Sequence, residues 1–216
     1  MTTAALTINT SNAVQILLLV GGLSLVPALL FVVTGFSRIL IVLGFIRTAM
    51  GTQSTPPNQV LVGIALFLTL FVMMPTVNAI KNNAWDPLQK HQISTTTAIS
   101  RAEQPLRQFM FKQTGSNELA LFVNLSKIRE PKTEGQVPTY VLIPAFIMSE
   151  VKTAFQIGFL IFLPFLIIDL IVSSTLMSMG MVMLPPTFIS MPFKILLFVL
   201  VDGWDLIARA LVSSFH

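Results

Sequence analysis

The sequence predicts an all-α protein in which long, kinked helices form two membrane-type helical hairpins around a small helical insertion. Three observations favour this fold class. First, 54% of the 216 residues are hydrophobic and only 10% are charged, whereas soluble domains carry about 25% charged residues. Second, the apolar residues gather in runs close to the ~20 residues that span a bilayer. Third, the polar stretch between these runs shows helical periodicity. A membrane, or burial in a large assembly, is needed to cover so much apolar surface.

Composition also excludes several classes of function. The chain has no cysteine, so it offers neither disulfides nor thiolate chemistry. Its net charge of +4 is spread along the sequence and lacks the basic clusters typical of nucleic-acid binding. No zinc-protease, nucleophile-elbow or phosphate-loop motif occurs. We therefore predict no catalytic residues, no metal and no cofactor, in a protein that is not an enzyme and binds no nucleic acid.

The first hairpin is predicted over residues 13–80, after a polar segment at 1–12. That segment has no Lys or Arg and therefore lacks the basic start of a secretory signal. Either the first apolar run acts as an uncleaved signal-anchor or a leader has been removed. The run at 13–50 is nearly twice as long as a bilayer crossing needs. This length favours a kinked helix that extends beyond the hydrocarbon, with Pro27 as the bend.

A turn at 47–59 separates the two arms of the first hairpin. Pro56-Pro57 cannot continue a helix, and Asn58 is the expected N-cap of the second apolar run, 60–80. Arg47 is the charge beside this turn. The positive-inside rule therefore places the turn in the cytoplasm and the segment after the second run outside it.

Residues 81–138 are predicted to form an extracytoplasmic insertion with two short amphipathic helices. Two sets of apolar residues share the helical i, i+3, i+4 spacing: Leu106, Phe109 and Met110, then Leu119, Phe122 and Val123. Gly115 is the expected stop between the helices, and Asn117 is the expected N-cap of the second. We expect the two helices to pack together or against the same element in another copy. His91 is interpreted as a solvated loop residue.

The second hairpin is predicted over 139–216 and contains two apolar runs, 153–176 and 188–201. A methionine-rich turn joins the runs, and Pro185-Pro186 ends that turn. A charge in such surroundings costs several kcal/mol unless it is paired or lines a cavity. Five charges lie in or beside the runs: Glu150, Lys152, Asp169, Lys194 and Asp202.

Each of these charges needs a partner on another helix or another subunit. Glu150 and Lys152 lie two residues apart and point in different directions on a helix, so they do not pair with each other. Asp169 lies deep in a run that otherwise has no charge. Three interpretations of Asp169 remain open: a proton or ion relay, a buried pair between helices or subunits, or a residue at the level of the water interface. Asp205 and Arg209 have the i, i+4 spacing of a structural surface pair.

Four methionines recur at every second position through the turn: Met177, Met179, Met181 and Met183. In an extended or loosely looped segment their side chains would all point to one side. Flexible thioethers can repack around changing shapes, which suits a deformable constriction. The alternative is a flexible apolar turn that contacts lipid or core.

Four stretches of the sequence carry a family likeness. They read GTQSTPPNQVLVGIALFLTLFVMMP, PAFIMSEVKTAFQIGFLIFLPFLIIDLIV, MGMVMLPPTFISMPFK and LFVLVDGW. These stretches resemble the FliP family of the type III secretion export gate, in its flagellar branch, and the likeness covers about 35–80 and 140–206. The resemblance implies a non-enzymatic, all-α subunit of a helical ring complex, in the bacterial inner membrane and flagellar basal body. Unfolded proteins would pass through the pore of this complex, and residues 81–138 would lie on the periplasmic side.

The resemblance also implies partners. The family assembles as a homo-oligomer, pentameric in the family, together with FliQ and FliR, and with FlhB and FlhA as further partners. Its substrates are unfolded export proteins. The alternative function is a secondary transporter or ion channel that uses Asp169 and Glu150 as its pathway. A channel would act as a homo-oligomer alone, so co-purification with two smaller membrane proteins would distinguish the two functions.

Site residues follow from the same resemblance. The methionine gasket of the family falls on Met181 and Met183 most directly, with Met177 and Met179 nearby. Val182 stands where relatives often have a third consecutive methionine, which is a departure from the family pattern. The resemblance makes Glu150, Lys152 and Asp169 subunit contacts first and proton relays second, and Lys194 and Asp202 are interpreted as subunit contacts.

Overall fold

The computed structural model describes Gly21, Ser24 and residues 30–52, 54–128, 131–181 and 183–215. These residues form helices and turns and contain no strand, so the all-α prediction is confirmed. The α-helices are α1 (Phe36–Ala49), α2 (Asn58–Ile80), α3 (Asp86–Gln89), α4 (Thr95–Gln113), α5 (Ser116–Leu125), α6 (Thr139–Ser178), α7 (Pro186–Leu200) and α8 (Gly203–Ser213). A π-helical turn covers Lys81–Trp85, and a 3-10 turn covers Glu134–Gln136.

A break in the first helical run lies at Thr34 and Gly35, just before α1. The Thr34 hydroxyl donates to the Leu30 carbonyl, and its oxygen accepts from the Phe36 N–H at 3.3 Å. Side-chain hydrogen bonds of this kind compete with the helical backbone ladder. The predicted bend at Pro27 and the polar segment 1–12 lie outside the described residues.

Helix α2 begins at Asn58, with Pro57 in extended conformation before it. The predicted N-cap is therefore wrong: Asn58 is the first helical residue, and its side chain instead accepts a hydrogen bond from Arg47. The helix also passes the predicted boundary at residue 80. It continues without interruption through the π-helical turn and α3, so that Asn58–Gln89 is one helical rod.

The insertion packs on the long helix α6 of its own chain. Met110 of α4 and Val123 of α5 share a buried cluster with Leu142 and Phe146 of α6. Helix α6 thus supports both insertion helices within the chain, and the predicted packing against another copy stays a prediction. Gly115 does separate the two helices. It also stands in the N-cap position of α5, where Asn117 had been expected.

Helix α6 has 40 residues and is about 60 Å long, roughly twice the thickness of a bilayer's hydrocarbon core. It begins at Thr139, well before the apolar run predicted from 153, so Glu150 and Lys152 lie inside it. Only 11% of the residues in its most apolar 18-residue stretch are buried within the chain, and 28% of those in the corresponding stretch of the rod Asn58–Gln89. Both helices are long and apolar enough to cross a membrane, and most residues in their most apolar stretches are not buried by the rest of the chain.

Helices α1 and α6 run side by side in the same direction. Arg38 of α1 meets Glu150 of α6, and the ring of Phe45 lies 5.2 Å from that of Phe155. Beyond α1, a Cβ at Gly51 would lie 3.8 Å from the Lys194 ammonium, which pairs with Asp169. The hairpin of α6 and α7 therefore continues past the α1–α2 turn for about nine helical residues, or roughly 14 Å.

Candidate functional site

The methionine-rich turn caps the end of this hairpin. Helix α6 ends at Ser178, and Gly180 has a left-handed backbone with φ of +75°. The Gly180 N–H donates to the Met177 carbonyl at 3.1 Å, and the Met181 N–H donates to the Leu176 carbonyl at 2.9 Å. These two bonds form a Schellman cap, in which glycine tolerates the positive φ. The predicted bend at Gly180 is confirmed.

All four predicted methionines are exposed at this tip. The exposed fractions are 62% for Met177, 67% for Met179, 39% for Met181 and 98% for Met183. The four methionines do not share one extended or looped segment, because Met177 lies in the last turn of α6 and the others follow in the turn. The tip is apolar and uncovered for a different reason: the Schellman cap turns the chain at the end of a hairpin that extends beyond α1 and α2. Val182 lies outside the described residues.

An ion pair joins the two arms of the hairpin at its base. The Lys194 ammonium lies 2.6 Å from Oδ2 of Asp169, and the Ser190 hydroxyl donates to Oδ1 at 2.5 Å. Ser190 and Lys194 are four residues apart, so both face α6 from the same side of α7. The side chain of Lys194 is 3% exposed and that of Asp169 is 25% exposed. Of the three interpretations of Asp169, the structure supplies the partners of an interhelical pair within one chain.

A second ion pair lies at the other end of α1. The Arg38 guanidinium contacts both carboxylate oxygens of Glu150, and its Nε donates to Oε2 at 3.1 Å. Glu150 is 0% exposed and Arg38 is 2% exposed. A carboxylate enclosed by its own chain cannot touch another subunit directly. The predicted subunit contact at Glu150 is therefore corrected to a contact between α1 and α6.

The remaining predicted charges lie nearer the surface. Lys152 donates to Glu118 of α5 at 2.6 Å, and this ammonium, followed by Glu118's own backbone N–H, holds the pKa of that carboxyl below its usual value of 4.5. Asp202 is exposed and takes a left-handed conformation in the turn before α8. The predicted surface pair of Asp205 and Arg209 is confirmed, with Nε 2.6 Å from Oδ2. A subunit-contact role for Lys152, Asp169, Lys194 and Asp202 stays a prediction.

Comparison with known proteins decides the family. The model of the FliP family matches residues 19–211. The chain is 55% identical over 207 residues to flagellar biosynthetic protein FliP of Bacillus subtilis, covering 96% of this chain and 94% of the relative. The chain belongs to the FliP family.

Other relatives of the family give the same result. The flagellar biosynthetic protein FliP of Pectobacterium carotovorum is 52% identical over 204 residues, which cover 94% of this chain and 79% of the relative. The flagellar biosynthetic protein FliP of Caulobacter vibrioides is 51% identical over 207 residues, which cover 96% of this chain and 78% of the relative. The resemblance noted in the sequence is thus confirmed, and this FliP-family chain is a component of the flagellar export apparatus.

Two partners in these sites were missed from the sequence of this FliP-family protein. Neither Arg38 nor Ser190 was assigned a role from the sequence. The signal for Arg38 was available, since a lone arginine in an apolar helix requires a counter-charge and Glu150 lacked one. Among the described residues no three His, Asp or Glu side chains come together as a metal site.

Proposed function

We propose that this FliP-family chain is a pore-forming core subunit of the flagellar type III protein export gate, which conducts unfolded axial proteins out of the cytoplasm. One observation carries the proposal. The hairpin of α6 and α7 ends in four exposed methionines on a Schellman-capped turn, and an ion pair joins the arms of the hairpin at its base. An apolar tip on a braced hairpin is suited to meet its copies around a central axis.

The tip would close the pore without any charge. Apolar constrictions can block ions by dewetting, because water leaves a narrow apolar passage. Methionine side chains are unbranched and flexible, so a passing polypeptide would displace them and they would then pack around it. Gly180 fixes the turn while the thioethers remain free to move. The gasket would therefore seal both the resting and the conducting pore.

The exposed surface of α6 supports assembly with other subunits. Large apolar side chains recur along one side of this helix at intervals of three or four residues: Phe155, Phe159, Leu163, Ile167 and Leu170. Such a stripe needs another apolar helix or lipid against it. We propose that copies of this chain, together with FliQ and FliR, cover it in a ring, that the ring is pentameric, and that FlhB and FlhA are further partners.

We also propose a bacterial inner-membrane location in the flagellar basal body, with the insertion at 81–138 on the periplasmic side. The support is Arg47 beside the α1–α2 turn, which favours the cytoplasm for that turn. Ser116 is exposed at the start of α5. Ser116→Cys should react with a membrane-impermeant maleimide in cells whose outer membrane is permeabilised. Labelling that occurs only after lysis would invert this topology.

Shortening Met181 and Met183, the two residues that match the gasket of the family most directly, tests the gasket. Met181→Ala combined with Met183→Ala removes apolar bulk from the tip, so cells that overproduce the complex should admit small ions and grow poorly while still exporting some substrate. Met74→Ala combined with Met148→Ala is the matched control, because both methionines are about half exposed on helix surfaces away from the tip. A non-conducting pore in the first variant would refute the gasket.

The alternative of an ion pathway through Asp169 and Glu150 has less support. Each carboxylate is paired with a basic side chain of its own chain. The two lie 19 positions apart on α6, or about 28 Å along the helix axis. Co-purification of the chain without FliQ and FliR, as a conducting homo-oligomer, would favour the alternative.

A further inference from the structure

The acceptors of the Arg38 guanidinium come from three separate parts of the chain. Nε and Nη2 each donate a hydrogen bond to Glu150 of α6. Nη2 donates a second hydrogen bond to the side-chain oxygen of Gln113 at 2.9 Å. Both Nη1 hydrogen bonds go to Ser214, to its carbonyl at 2.8 Å and to its hydroxyl at 3.1 Å. A guanidinium has five N–H donors, so all five have acceptors. Two of the five depend on the segment that follows α8.

Phe215 covers the site of the Arg38 guanidinium. Its ring lies over the guanidinium, with the Arg38 Cζ 4.0 Å from the ring centroid. The ring stacks on Phe109 of α4 at 6.2 Å between centroids, and the Gln113 amide donates to the Phe215 carbonyl at 2.9 Å. A Cβ at Gly35 would lie 2.4 Å from the ring. Phe215 therefore fills the space between α4 and the break that precedes α1.

A crevice of about 260 Å³ opens directly beside this ring. Val72 and Thr76 of α2 line one side of it, Phe109 and Lys112 of α4 line the other, and Phe215 forms part of its wall. Well-packed interiors leave few voids larger than a water molecule. The crevice thus gives the Phe215 ring space to leave its position without displacement of the surrounding helices.

We propose that Ser214 and Phe215 form a releasable latch, which when closed holds α8 to α1 and α4 around Arg38 and when open frees the end of α8. Opening leaves the Arg38–Glu150 pair and the Gln113 contact in place, because none of their atoms belongs to the latch. It uncovers the Nη1 donors of Arg38 and the Gln113 amide that donates to the Phe215 carbonyl, and water can then reach and satisfy these groups. A local opening of this kind costs less than unfolding of the core around it.

The latch has a mechanical consequence for the subunit. Helix α8 follows α7 directly, and α7 carries Lys194 and one arm of the methionine hairpin. The closed latch ties that chain of elements to the insertion through Gln113 and Phe109. The open latch removes this tie, so that the end of α8 is held to the core by Ile207 and Leu211 and no longer to the insertion. Conformational switches are usually formed by packed elements that have two discrete arrangements.

Thiol labelling in this naturally cysteine-free chain tests the latch. Three single-cysteine variants of the full chain, isolated from membranes in mild detergent, are compared for their rate of reaction with a maleimide: Ser214→Cys, Ser213→Cys and Ala154→Cys. Position 213 is exposed and reports access of the reagent, and position 154 is 0% exposed and reports opening of the core. Each variant is measured with and without Phe215→Ala.

Ser214 is half-buried when the latch is closed, so Ser214→Cys should react faster than Ala154→Cys and clearly slower than Ser213→Cys, and the effect of Phe215→Ala distinguishes local opening from this static exposure. Phe215→Ala should raise the rate at 214 by roughly tenfold and leave the rate at 154 unchanged. Equal rates at 214 and 154, with and without Phe215→Ala, would overturn the proposal, and so would a rate at 214 equal to that at 213. Hydrogen exchange of amides 211–215 against 142–154 in the unsubstituted chain gives the same comparison if Ser214→Cys does not fold.

Discussion

Replacement of Asp169 by alanine should destabilise the chain through the charge that it leaves behind. Lys194 is 3% exposed, and its contact at 2.6 Å is with the carboxylate that the substitution removes. Removal of one partner from a buried ion pair typically costs about 3–5 kcal/mol, because the other charge stays desolvated. The Asp169 side chain is 25% exposed, so water can enter near the vacated position. We therefore expect Asp169→Ala to lower the free energy of unfolding by about 3 kcal/mol, at the lower end of that range.

A double-mutant cycle separates the charge from the packing. Lys194→Met replaces the ammonium by an apolar group of similar length, and exchange of a buried ion pair for apolar residues is often neutral. Asp169→Ala combined with Lys194→Met should therefore be more stable than Asp169→Ala alone. Asp169→Asn should also lose less stability than Asp169→Ala, because it retains an acceptor for the Ser190 hydroxyl. The free energy of unfolding is measured by pulse proteolysis during an SDS titration. Additive effects in the double variant would show that no energetically significant pair exists.

Two further changes give expected outcomes at the other ion pairs. Glu150→Gln should lower the free energy of unfolding by about 3–5 kcal/mol in the same SDS titration, because it leaves the Arg38 charge buried without a counter-ion. A decrease equal to that caused by Glu118→Gln would contradict this. The Lys152 ammonium lowers the pKa of Glu118, so the pair contributes stability above pH 4.5 that is lost as pH falls through the lowered folded-state pKa. The stability difference between the unsubstituted chain and Glu118→Gln should shrink across that window, and a constant difference down to pH 2 would refute the assignment.

The sequence predicted those features that depend on local backbone chemistry. Gly180 and Pro185-Pro186 limit the conformations open to the chain, and they bound the turn as expected. Helix extent was less predictable. Lys81 marks a change from apolar to polar composition, yet the helix Asn58–Gln89 continues past it, and α6 begins at Thr139, well before the apolar run predicted from 153. Backbone hydrogen bonds within a helix do not require an apolar sequence, so a change in composition is not a helix end.

Partners distant in sequence were the least predictable part of the site. Arg38 and Glu150 are separated by 112 positions, and no periodicity within one segment relates them. Their contact exists because α1 lies along α6, an arrangement set by packing such as that of Phe45 on Gly158, where a Cβ would lie 2.5 Å from the ring. A charge in an apolar helix therefore predicted that a partner exists, and only the fold could identify it.

The most direct test of the central claim is whether the methionine tips of different copies meet at one axis. In a closed ring the contacts between neighbours are heterologous, so the same residue in adjacent copies is far apart except near the axis. Met183→Cys, placed at the most exposed tip residue, should form disulfide-linked chains when the assembled complex is oxidised in membranes. Leu200→Cys, 74% exposed at the opposite end of α7, is the control and should remain largely monomeric. Cross-linking at 183 that does not exceed cross-linking at 200 would contradict a methionine gasket at the centre of the pore.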